Sequence, residues 1–103
     1  MLGAINEEAW ASAVVNADGT TQNARGCSIT RPAAGTYEVS LSRGIDESEC
    51  TVVAQPIGNA AVDGKIVLVE HNSDDLKTIR FFYDSAGLPQ NTSFHLRIAK
   101  FVG

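Results

Sequence analysis

Short runs of strand-forming residues, each closed by Gly, Pro, Asn or Asp, follow one another along nearly the whole chain, and no segment between them is long enough for a crossover helix. Parallel strands need connections of a dozen or more residues, so this spacing restricts the chain to antiparallel pairing. The phase is clearest at Tyr37-Glu38-Val39-Ser40-Leu41-Ser42, where apolar and polar residues alternate. Successive strand side chains point to opposite faces, so one face of this run meets a core and the other meets water.

Seven such runs are predicted: Trp10 to Val15, about Gly26 to Thr30, Tyr37 to Leu41, Cys50 to Ile57, Lys65 to His71, Leu76 to Tyr83 and Thr92 to Val102. Their boundaries carry turn chemistry. Asn16-Ala17-Asp18-Gly19-Thr20 supplies residues that tolerate positive φ, and Asn72-Ser73-Asp74-Asp75 is a polar hairpin tip. In Arg31-Pro32-Ala33-Ala34-Gly35 a residue without an N–H stops the strand and a glycine permits a sharp turn. Pro56 places its own strand at a sheet edge or a bulge. The expected architecture is all-β: an antiparallel β-sandwich, jelly-roll-like, of about seven to eight strands. A chain of 103 residues fits a single domain, with residues 1–9 as an extended arm or one short helix.

Composition removes several function classes. The net charge is -4 and the eight Lys and Arg are scattered, whereas a nucleic-acid surface gathers basic residues against phosphate. Nucleic acid is therefore not an expected partner. No apolar stretch approaches the roughly 20 residues that span a bilayer, and Glu7 and Glu8 stand where a secretory leader needs a basic and then an apolar segment. The expectation is a soluble protein made in a cytoplasm, with neither signal peptide nor membrane insertion. Cys27 and Cys50 lack the paired spacing of a zinc site and read as two packed thiols, with one bridge between them as the alternative.

The residues that carry chemistry are dispersed. His71 and His95 are the only histidines, and neither has a second His or Cys at ligand spacing. Asp46, Glu47 and Glu49, and the Asp74-Asp75 pair, do not follow the alternating oxygen ligands of an EF-hand loop. No nucleophile elbow, P-loop or dinucleotide fingerprint is present. A non-enzymatic protein with no cofactor and no metal is expected, in which Trp10, Tyr37 and Tyr83 serve as core or interface anchors, with stacking on sugars as the alternative.

Two strands are apolar on both faces. Ile66, Val67, Leu68 and Val69 follow in succession, and Leu76 and Phe82 stand opposite Ile79, Phe81 and Tyr83 in phase. One face of an antiparallel sandwich strand normally meets water, so the second apolar face needs cover. A second subunit supplies it in the preferred reading, through Val67, Val69, Phe81 and Phe82; a loop or the N-terminal arm supplies it otherwise.

The order of the turn and strand motifs is also informative. Val15-Asn16-Ala17-Asp18-Gly19-Thr20 is followed by Ser28-Ile29-Thr30-Arg31 and Gly35-Thr36-Tyr37-Glu38-Val39, then by Asp84-Ser85-Ala86-Gly87 and Ser93-Phe94-His95-Leu96. Over roughly residues 10–102 this order resembles small β-rich modules of phage tail fibre and virion spike proteins and related bacterial β-sandwich proteins. The resemblance implies a phage or phage-like virion structural protein, as a tail fibre tip, spike or capsid decoration. It further implies a homo-oligomer, with a trimer favoured, located in the virion among other virion proteins and meeting a host-surface glycan or protein. Asp18, Asn59, Asp74 and Asn91 are the loop residues expected to make exposed contacts. The alternative is a free-standing carbohydrate-binding, lectin-like β-sandwich domain.

Overall fold

The computed structural model describes residues 6–57, 65–83 and 87–102. Its strands are β1 (Asn6–Val15), β2 (Thr21–Arg25), β3 (Cys27–Ala33), β4 (Thr36–Leu41), β5 (Cys50–Pro56), β6 (Lys65–Ser73), β7 (Leu76–Tyr83) and β8 (Phe94–Val102). A 3-10 turn at Glu47–Glu49 is the only helical element among the described residues. The strands form two four-stranded antiparallel sheets, ordered β2-β1-β8-β5 and β3-β4-β7-β6. The hairpins β1–β2, β3–β4 and β6–β7 each stay within one sheet, whereas β2 and β3, β4 and β5, β5 and β6, and β7 and β8 lie in different sheets. The chain is the all-β sandwich that the alternation predicts.

The two inner faces make the core. Ala11, Ala13 and Val15 of β1 and Phe94, Leu96 and Ile98 of β8 pack with Tyr37, Val39 and Leu41 of β4 and Ile79 and Phe81 of β7. An aromatic trio joins the sheets: Tyr37 meets Phe94 edge-on at 5.0 Å between centroids and Phe81 at 5.8 Å, and Phe81 and Phe94 are 4.9 Å apart. These are the offset geometries that aromatic quadrupoles favour. Burial raises the Tyr37 pKa above its ordinary value, and its hydroxyl is satisfied by accepting from the Thr92 N–H at 3.0 Å and donating to the Ala17 carbonyl at 2.6 Å.

Three local features depart from the sequence expectation. First, Thr21–Arg25 forms an eighth strand although it has no apolar alternation; all five residues are exposed, and the strand is held at the sheet edge by backbone pairing to β1. Second, β1 begins at Asn6 and not at Trp10, so of the two alternatives for the N-terminal segment residues 6–9 take the extended one, while residues 1–5 lie outside the described residues. Third, β3 runs through Pro32 to Ala33 by way of a register shift after Thr30. Pro32 is tolerated there because β3 is an edge strand and the bulge needs no donor at that position. Pro56 closes β5, an edge strand of the other sheet, as its missing N–H requires.

Gly35 shows how tightly the loops are drawn in. Its φ is +69°, and an added Cβ would fall 2.5 Å from the Gln90 nitrogen and 2.8 Å from the Phe81 carbonyl oxygen. The segment before β8 therefore threads against β7: Phe81 N–H donates to Gly35, and Gln90 N–H donates to Phe81, each at 2.9 Å. Cys27 and Cys50 are both free thiols whose pKa values are raised mainly by burial.

Candidate functional site

Pairing of β6 with β7 decides which apolar residues face outward. Val67 sits opposite Phe81 and Val69 opposite Ile79, whereas Ile66 sits opposite Phe82 and Leu68 opposite Arg80. Phe81 is wholly buried, and Val67 and Val69 pack half-buried against the same core. These three residues, expected at a subunit contact, instead point into their own sandwich, because directly paired residues share one face. Of the expected contact set only Phe82 lies on the outer face. Its companions there are Ile66 and Leu68, which are 49% and 45% exposed. Within the same strip the Arg80 guanidinium reaches Glu70 at 3.0 Å, while its Nε is buried with no acceptor among the described residues.

The loop residues expected to make contacts do not share one surface. Asp18 and Asn91 lie at the end of the sandwich where β4 begins, and Arg31 links them: its Nε donates to the Asp18 carbonyl at 3.3 Å and its guanidinium to the Asn91 side chain at 3.4 Å. Asn91 Oδ1 also accepts from Gly35 N–H at 2.8 Å. The Asp18 carboxylate accepts from both the hydroxyl and the N–H of Thr20, at 2.6 and 2.9 Å, which holds its pKa below the ordinary value. These groups fasten loops together. Asp74 is at the opposite end, where its carbonyl accepts from Ile45 N–H and its neighbour Asp75 accepts from Leu41 N–H. Asn59 lies outside the described residues.

Near Asp74 a polar recess of about 170 Å³ is lined by Asp46, Glu47, His71, Ser73 and Lys77. Lys77 is almost fully buried, and its ammonium donates to the carbonyls of Ser73 at 2.8 Å and Ile45 at 3.0 Å. The Asp46 carboxylate accepts from the Ser48 N–H and hydroxyl, which lowers its pKa. The charges of this recess thus brace the turn between β6 and β7 against the loop before β5. Among the described residues no three His, Cys, Asp or Glu side chains converge as a metal-binding group.

A larger depression, about 690 Å³, lies on the outer face of the other sheet across β2, β1 and β8. Arg25, Ser12 and Arg97 stand in one row there, since Ser12 pairs with Arg25 on one side and with Arg97 on the other. Asn23, Val14 and His95 complete its outward-facing wall. Sequence reasoning missed this set because β2 carries no hydrophobic signal; the polar, turn-bounded stretch from Thr21 to Arg25 was the only trace of it.

No family model, curated protein or solved structure matches the chain.

Proposed function

We propose that this protein is a non-enzymatic structural module of a phage or phage-like virion, a tail fibre tip, spike or capsid decoration, that assembles with copies of itself and meets the host surface. One observation carries the assembly half of this reading: the strip of Ile66, Leu68 and Phe82 on the outer face of β6 and β7. A β-sandwich strand normally presents polar residues to water on that face. A contiguous apolar strip costs free energy unless another surface covers it. A second and third copy of the chain supply that cover. The virion setting rests on the resemblance of the order of turn and strand motifs to that of tail fibre and spike modules.

Light scattering after size exclusion tests the reading. A mass three times the 10.9 kDa of the chain is expected, falling to one chain in an Ile66→Asp, Leu68→Asp variant. A wild-type monomer overturns self-assembly and favours the free-standing carbohydrate-binding domain, for which the depression across β1 is the relevant surface.

A further inference from the structure

We infer that the outer face of the β2-β1-β8-β5 sheet binds a carboxylated saccharide, with its carboxylate held between Arg25 and Arg97. The inference takes its biological setting from the host-attachment half of the reading above and uses nothing from the apolar strip on the other sheet.

The argument begins with register. Ser12 is paired with Arg25 and with Arg97, so the three side chains cross the sheet in a single row. Neighbouring strands are about 4.8 Å apart, which sets the two arginine stems roughly 10 Å from each other with only a hydroxymethyl group between them. Two planar guanidiniums at that separation can close on one carboxylate from both sides, each with paired N–H donors. Bringing the two guanidiniums together would be unfavourable without an anion between them, and the chain as a whole carries -4. Yet no Asp or Glu among the described residues lines the depression. The carboxylate at its border is Glu7, whose contact with Arg97 is long at 3.6 Å and exposed, an ion pair of small worth. Arg25 has no ion pair among the described residues.

The remaining wall selects the rest of the ligand. Asn23 lies where β2 bulges against β1 and has φ +55°, a left-handed backbone unusual for a residue other than glycine. The strained bulge brings an amide to the rim of the depression. Ser12, Asn23 and His95 offer hydroxyl, amide and imidazole groups, with Val14 and the small Ala9 as apolar side chains between them. A peptide would need apolar pockets for alternate side chains. A sugar ring needs polar groups spread over a shallow surface, and that is what this face presents.

Calorimetric titration of trigalacturonate, sialyllactose, lactose and a hexaglutamate peptide into the full chain tests the assignment. At least one acidic saccharide is expected to bind about tenfold or more tightly than lactose and the peptide, and to lose about tenfold or more in an Arg25→Gln, Arg97→Gln variant. A Leu68→Asp variant should bind as wild type does. Failure of both acidic saccharides to bind, equal binding by the double arginine variant, or equal binding of hexaglutamate overturns the inference. Light scattering on the same samples separates the two proposals: a trimer silent in the titration overturns the ligand site alone, and a monomer that binds overturns assembly alone. Both arginines are exposed, so the variant should keep the wild-type unfolding midpoint, measured alongside.

Discussion

Tyr37 reaches out of β4 to place its hydroxyl 2.6 Å from the backbone oxygen of Ala17, in the loop that joins β1 to β2. The hydroxyl oxygen itself accepts from Thr92 N–H just ahead of β8, so one phenol ties two loops to the aromatic centre of the core. Removing the hydroxyl keeps the ring contacts and deletes a buried donor and acceptor. Tyr37→Phe is expected to destabilise the fold by about 1–3 kcal/mol, read as a lowered urea midpoint with an unchanged slope.

Gly35 and Gly87 share a left-handed backbone, with φ of +69° and +64°, but differ in surroundings. A Cβ at Gly87 meets nothing within 4 Å, whereas one at Gly35 strikes the backbone of Gln90 and Phe81. Gly87→Ala should cost about 1–2 kcal/mol from backbone strain alone. Gly35→Ala should cost clearly more, because strands cannot move apart locally without breaking the hydrogen bonds around Phe81. Thermal melts of the two variants compare them directly; equal losses would mean that the crowding at Gly35 is relieved in solution.

Asp18 and Asp46 each accept two hydrogen bonds, chiefly from Thr20 and Ser48, and both folded pKa values lie below the ordinary 3.8. The charged forms are therefore favoured in the folded state. Their contribution is complete above the unfolded pKa and disappears as pH falls through the lower folded value. An Asp18→Asn, Asp46→Asn variant lacks this contribution, so its stability deficit should shrink as the pH falls below about 4. Urea titrations across that range measure it, and a deficit that stays constant would contradict the assignment.

The two faces of β6 should respond oppositely to charge. Ile66→Asp or Leu68→Asp on the outer face is expected to leave the stability of the isolated chain within about 0.5 kcal/mol while lowering the native mass. Val67→Asp puts a carboxylate among core residues and should destabilise by about 1–3 kcal/mol. If Val67→Asp were neutral and Leu68→Asp unfolded the chain, the register of β6 on β7 would be wrong.

That register explains what was legible in the sequence and what was not. The Tyr37–Leu41 alternation fixes the inward face of β4, and the turn residues mark most of the strand boundaries. The phase of Ile66-Val67-Leu68-Val69 was undecidable, because either alternate pair is apolar enough to face a core. Counting back from the Ser73–Leu76 pair without interruption sets Leu68 opposite Phe81; the shift between His71 and Ser73 sets Val67 there instead. One extra residue in a strand exchanges its two faces. The arginine row was hidden for a different reason: its members lie on three strands, and β2 is exposed at every position with no apolar alternation.

The polar edge strand also separates two kinds of change during descent. Core substitutions in β4, β7 or β8 alter volumes that their neighbours must match, whereas Thr21–Arg25 has no side chain in the core and needs chiefly to keep its backbone ladder with β1. Side chains there, the left-handed Asn23 aside, can be replaced with little thermodynamic consequence for the rest of the molecule. A lineage under pressure to alter what it adheres to has these positions to vary, leaving the sandwich beneath them unaltered.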